Sequence, residues 1–252
     1  QALYTNAQNF NVGLGHVAGY ANTTGYITAI GSAALQYNTT GTNNVAVGGY
    51  NNAVATLRNN TTGSQNTGVG YGALVNNTTA NNNTAVGKDA MYANTTGTAN
   101  VGLGKDALAS NTTGVESTAV GYQAGFLNTT GRIVAVGRHA LRSNTTAVEN
   151  TGIGYRALRD NTTGANNTAL GGDALISNTT ASNNTVVGYQ AGYGNTTGAT
   201  NVFVGQTAGY NNTTGYTNTF IGYNSGSQIT TGAKNTILGR YNGNQGGLDI
   251  RT

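Results

Sequence analysis

Seven carboxylates, two histidines and eleven lysines and arginines carry most of the chemistry that 252 residues offer. Among them only Asp89 and Asp106 hold a spacing that suggests a shared site, since each follows a lysine (Lys88, Lys105) and precedes an alanine, 17 residues apart. Two carboxylates held within reach of each other can divide general-acid and nucleophile or base roles, as in glycoside hydrolysis. The lysine beside each gives the plainer reading, a small solvated charge patch. His16 and His139 are too distant in the chain to cooperate, cysteine is absent, and no Asp-rich calcium-type turn occurs. No catalytic, cofactor-binding or metal-binding residues are therefore expected, and the chain reads as a non-enzyme. Gly13-x-Gly15 and Gly68-x-Gly70 imitate a nucleotide-binding loop, but a repeat explains them better.

That repeat decides the organisation of the chain. A glycine preceded by Val, Ile or Leu recurs at 15, 31, 48, 70, 87, 104, 121, 137, 154, 171, 188, 205, 222 and 239. The step is 17 residues in ten of the thirteen intervals, 16 in two, and 22 between Gly48 and Gly70. An insertion that leaves the register intact on both sides must leave the coil as a loop, here at 49–59. Thr or Val stands three before each glycine, with Ala or Gly between in ten copies. Such alternation marks a short strand ending at the glycine. The bulkier residue beside the glycine is expected to face the core, in a file through Val86, Leu103, Val120, Val136, Ile153, Leu170 and Val187. The small residue before it, as at Ala85, Gly102, Ala119 and Ala135, then faces outward and is expected to line the contact between chains, with the chains further apart or more buried against one another at Val186, Phe203, Phe220 and Ile237 in the same slot. On this assignment Val120→Asp disrupts the stack more than Asn111→Ala does.

After the glycine, Leu or Met usually stands at the fourth position, as at Leu74, Met91 and Leu108. Where Gly replaces it, an aromatic follows in Gly19-Tyr20, Gly125-Phe126, Gly192-Tyr193 and Gly209-Tyr210, which suggests that core volume moves one residue along. Gly226 and Gly243 lack that ring, so the last coils are expected to be looser. Asn-Thr-Thr follows once per copy, with turn chemistry. A second Asn stands four before the glycine in eleven copies, where stacked amides at ~4.8 Å can form a ladder.

Only 7% of residues are charged, 40 are glycine, and there is no Pro, Cys or Trp. Charged disorder is excluded, since 37% of residues are apolar and the net charge is only +4. The basic residues look scattered, so nucleic acid is not an expected partner, and no apolar run is long enough to insert in a membrane. Together these features predict an all-β chain, a parallel β-solenoid of about fourteen 17-residue coils over 1–239, with 240–252 as an exit segment or the start of a following module. Each coil encloses few side chains, so parallel copies packed side by side are expected, three being the favoured number. Gln1-Ala2-Leu3 fits the middle of a repeat, which suggests a segment of something longer.

The unit Asn-Thr-Ala-Val-Gly, as at Asn83 to Gly87, resembles the head repeat of trimeric autotransporter adhesins, a β-roll. The longer unit, continuing to Ala-Leu and Asn-Thr-Thr-Gly, is similar to repeat arrays of bacteriophage tail fibres, and the resemblance covers nearly the whole chain. It implies a homotrimer in a virion tail fibre or at a cell surface, spacing and presenting a host-attachment end. The implied partners are other copies of itself, further fibre or virion components, and host surface glycans. In such a fibre Tyr71, Tyr122, Tyr155, Tyr189 and Tyr223 could make weak sugar contacts, although a surface ring shielding the turn is the plainer reading of a Tyr directly after the glycine. The period is longer than that of the adhesin repeat. Other readings are a self-stacking extracellular filament, an ice-binding solenoid with ordered threonines, and an adhesin head.

Overall fold

A computed structural model describes residues 2–4, 11–49 and 54–243, and the chain divides into two units, 1–130 and 131–252. The first unit contains β1 (Val12–Leu14), β2 (Ile27–Ile30), β3 (Asn44–Val47), β4 (Thr67–Val69), β5 (Thr84–Val86), β6 (Val101–Leu103) and β7 (Thr118–Val120). The second contains β8 (Ile133–Val136), β9 (Asn150–Ile153), β10 (Thr168–Leu170), β11 (Thr185–Val187), β12 (Val202–Val204), β13 (Thr219–Ile221) and β14 (Thr236–Leu238). Within each unit every strand pairs in parallel with the next in the chain. The register advances by one repeat, so Ala85 lies beside Gly102 and Val86 beside Leu103. Each unit is thus a parallel β-solenoid with one coil per repeat, as the period requires.

The strand-end glycine is fixed by backbone geometry. Gly87 has φ 134°, and a Cβ there would lie 2.6 Å from the carbonyl carbon and oxygen of Gly104 in the next coil. No L-residue reaches that conformation without strain, and no side chain fits the space.

The strand faces are the reverse of the sequence expectation. The small residue two before the glycine is the one that points inward: Ala85, Ala119, Ala135 and Ala169 are fully buried. The larger residue beside the glycine points out, with Val86 39%, Ile153 36% and Leu170 45% exposed, and Leu103, Val120, Val136 and Val187 partly exposed. The physical reason lies on the opposite wall of the coil. Leu74, Met91, Leu108, Leu141, Leu158 and Leu175 are completely buried there and reach across to the strand. Built on Gly102, a Cβ would sit 3.0 Å from Met91 Cγ; on Gly152, it would sit 3.2 Å from Leu141 Cγ. With a leucine or methionine crossing the coil, only Ala or Gly fits in the strand. These crossing residues adopt positive φ, 53° at Leu74 and Met91, a conformation costing about 1–2 kcal/mol for an L-residue. Burying a Leu or Met side chain returns about 1.5–3 kcal/mol, enough to offset it.

Where Gly replaces the crossing residue, the strand supplies the bulk. A Cβ on Gly209 would lie 2.8 Å from the Phe203 ring, and one on Gly226 would lie 2.5 Å from Phe220. Val186, Phe203 and Phe220 are fully buried and Ile237 is 3% exposed. Gly226 is therefore filled by Phe220 rather than loosely packed, and Val186 to Ile237 are core residues rather than chain contacts. In the first unit Gly19 is filled differently, by Ile27, whose Cδ1 lies 2.8 Å from where a Cβ would be. Tyr193 and Tyr210 stay on the partly exposed flank and stack on each other, centroids 5.0 Å apart. At Gly192, Gly209 and Gly226 the bulk thus comes from the strand, not from the residue one along.

Part of the remaining interior is polar. Asn60, Asn77, Asn94 and Asn111 are fully buried, and each Nδ2 donates to the Asn Oδ1 of the coil before, at 2.8 Å from Asn94 to Asn77 and 2.9 Å from Asn111 to Asn94. The same Nδ2 donates within its own turn, from Asn94 to the Gly97 carbonyl at 3.0 Å. The second Asn file is buried too. Asn83 Nδ2 donates to the Gly97 carbonyl of the following coil at 2.8 Å, and its Oδ1 accepts the Asn100 N–H at 3.0 Å. The second unit repeats both files through Asn161, Asn178, Asn195 and Asn212, and through Asn167, Asn184 and Asn201. The ladder is therefore a wall of the core and not only a turn device. Such amides stabilise when satisfied and are costly when one partner is lost.

The insertion is shorter than 49–59. Ala55, Thr56 and Leu57 are fully buried, Leu57 takes the crossing position with φ 51°, and Gly49 bridges to Ala55. Residues 50–53 of that loop lie outside the described residues, as do 244–252 of the exit segment. Tyr241 and Asn242 still accept coil-type backbone bonds from Gly226 and Gln228, at 2.7 and 2.8 Å.

Candidate functional site

Two surfaces of the coil carry what the interior does not use. The first is the outer strand face. Its two files hold only Val, Ile, Leu and Thr, because neither position can turn inward once the crossing residue occupies the coil. The residues assigned to the core by sequence lie on this face of their own unit, Val86, Leu103 and Val120 in the first and Val136, Ile153, Leu170 and Val187 in the second, where Val134 and Ile221 are also 38% and 40% exposed. The file beside the glycine is apolar in every copy, the other is Thr in nine copies and Val in five, and neither carries a charge.

The second is the flank just after the strand-end glycine, where rings and cations stack along the coil direction. Lys88 Nζ lies 5.8 Å from the centre of the Tyr71 ring and Lys105 Nζ 5.2 Å from that of Tyr122. Arg138 and Arg156 lie 5.8 and 4.6 Å from the Tyr155 ring, and Arg240 lies 5.3 Å from Tyr223. Of the five sequence candidates, Tyr122, Tyr155, Tyr189 and Tyr223 are exposed and Tyr71 is half-buried. Cation–ring contacts at such sites contribute about 0.5–1 kcal/mol each.

Asp89 and Asp106 occupy this flank in adjacent coils, and each is drawn to a lysine. Asp89 Oδ2 lies 3.4 Å from Lys88 Nζ, and Asp106 Oδ2 lies 3.0 Å from Lys105 Nζ and 3.4 Å from Gln123 Nε2. The hydrogen bond and charge of Asp106 hold the Lys105 ammonium above its ordinary pKa. These contacts describe partly exposed charge pairs, each of little energetic weight. Among the described residues, no three His, Asp or Glu side chains gather into a group that could hold a metal ion.

Sequence reading missed a concentration of arginine in the second unit. Burial lowers the pKa of His139, with Arg138, Arg142, Arg159 and Arg156 adding to the effect. Two of these arginines carry bidentate partners: Arg156 bonds Asp173 at 2.7 and 2.9 Å, and Arg159 bonds Asp160 at 2.7 and 2.6 Å. Only the 17-residue register would have revealed this, since it superposes Arg138 and Arg142 on Tyr155 and Arg159 of the next coil.

The threonine pairs split by role. The first of each pair is tied down, as Thr78 Oγ1 donates to the Thr95 carbonyl at 3.2 Å, while the second, as at Thr79, Thr96 and Thr113, is exposed. Comparison of the chain with protein-family models, with curated proteins and with solved structures gives no match.

Proposed function

We propose that the chain is a structural segment of an extracellular fibre, of the tail-fibre kind, whose copies associate in parallel and hold a host-binding end away from the particle or cell that carries it. The observation that carries this reading is the outer strand face, apolar at every coil and free of charge in both files. A surface that repeats once per coil, at ~4.8 Å, is matched along its length only by a surface with the same repeat. Another copy of this chain in parallel register supplies one. Three copies meeting along this face form a closed assembly in which each apolar file is covered. The contact between chains then runs through Val86, Leu103, Val120 and their equivalents, and not through Ala85, Gly102, Ala119 and Ala135, which are inside the coil.

The regular interior supports the same reading. Recurrent buried amide rungs and a strand-end glycine in every copy make one coil a template for the next, which suits a part whose task is length and stiffness. Labelling the parent particle with an antibody raised against this chain, followed by electron microscopy, tests the assignment. Label along projecting fibres is the expected result, and label confined to the cell interior would overturn it.

A further inference from the structure

Beyond the fibre role, which it does not depend on, we infer that the first unit carries a lateral binding slot for one ring of a neutral oligosaccharide, between Tyr92 and Phe126. The two rings occupy the same position of alternate coils, with Ala109 between them. They border an open groove of about 660 Å³, within the range of small-molecule sites. Elsewhere on the chain, rings at this position in adjacent coils close on each other, as Tyr193 and Tyr210 do at 5.0 Å. Tyr92 and Phe126 are two coil spacings apart, ~9.6 Å, so the small Ala109 leaves room for one flat ring lying about one coil spacing from each. The slot therefore has the width of a missing ring.

The rest of the lining selects what kind of ring. Tyr71, Lys88, Asp89 and Ser110 border the same groove. The Lys88 ammonium and the Asp89 carboxylate are paired at 3.4 Å, so the groove presents donors and acceptors with little net charge. Asp89 is held in place by its lysine on one oxygen, while its other oxygen leans over Gly72, where a Cβ would come within 2.3 Å of it. A neutral pyranose ring fits this arrangement, because its C–H face packs on aromatic rings while the hydroxyls around its edge meet Asp89, Lys88 and Ser110. An anionic sugar gains little from a lysine already paired, and a purely apolar ring would leave the polar edge unmatched.

The test is saturation-transfer NMR on the full chain with three neutral probes, maltotriose, cellotriose and N,N′,N″-triacetylchitotriose, followed by titration of any that binds. Transfer to the ring C–H protons of at least one is expected, weakened at least about fivefold by Phe126→Ala or Tyr92→Ala. Ala109→Phe completes the stack seen at Tyr193 and Tyr210, so this variant folds and loses binding. Tyr210→Ala, in the closed pair, leaves binding unchanged. Absence of transfer to all three probes, or wild-type affinity in folded Ala109→Phe, overturns the assignment. Binding of sialylated but not neutral oligosaccharides overturns it as well.

Discussion

The coils around Met91 and Leu108 and those around Phe203 and Phe220 enclose the same interior by opposite means. In the former, a long side chain crosses from the far wall and the strand contributes only Gly102 and Ala119; in the latter, the far wall is reduced to Gly192, Gly209 and Gly226, and the strand contributes the rings. Phe203 and Phe220 stack at 5.1 Å between centroids, one coil on the next. The contrast shows that volume is conserved across the coil and between neighbouring coils, not within one position. It also separates two costs: the crossing leucines bear left-handed backbone strain, which the glycine coils avoid by using a residue without a Cβ.

Exchanging the two arrangements gives the largest expected effect. Phe203→Ala empties the space beside Gly192 and Gly209 and should destabilise the second unit by about 3–5 kcal/mol. Adding Gly192→Leu restores a crossing side chain of the kind found at Leu175, and should recover a substantial part of that loss in a double-mutant cycle followed by chemical denaturation. Strict additivity of the two changes would mean that the two positions do not share one space.

The polar wall is common to both kinds of coil, so its loss should be felt equally in either. Asn111→Ala removes the donor to Asn94 Oδ1 and to the Gly114 carbonyl, leaving buried acceptors unmatched at about 1–3 kcal/mol. Asn195→Ala, among the glycine coils, should cost a similar amount in thermal melting. Val120→Asp, at a partly exposed outer position, should lower the melting temperature of the coil less than Asn111→Ala and act instead on association between copies. A lower melting temperature for Val120→Asp than for Asn111→Ala would return the outer strand face to the inside.

The smallest effect concerns the arginine-rich flank of the second unit. His139 has a folded pKa below its ordinary value near 6.5, because burial and the surrounding arginines disfavour its charged form. Its unfolded form therefore takes up the proton first, so stability should fall as pH drops below about 6.5 and level off beneath the folded pKa. His139→Gln should flatten this segment of the stability profile, and an unchanged slope would show that other groups set it.

Period, strand position, the obligatory glycine and the amide ladders are all legible in the sequence, because each follows from a backbone requirement that repeats. Which strand face lies inside is not decided by alternation alone, since Val-rich and Ala-rich positions both satisfy a period of two. Size points to the wrong one, because the larger residue suits a core only when the far wall is ignored. The correct signal is nonetheless present, as the strand residue grows to Val186, Phe203, Phe220 and Ile237 in the same copies where the fourth position shrinks to Gly192, Gly209, Gly226 and Gly243. Reciprocal size marks two residues that share a space. The Tyr92–Phe126 slot is not legible, because it depends on Ala109 falling between two isolated rings of alternate coils, in a position that otherwise varies from Val75 to Arg142.

Whether the outer strand face is made for other copies of this chain is decided by sedimentation equilibrium of the purified protein. The expected species has three times the 25.5 kDa chain mass, and its mass falls toward that of a single chain when the outer-face residues Leu103 and Val120 are changed to Asp. A stable 25.5 kDa species across the concentration range would contradict it.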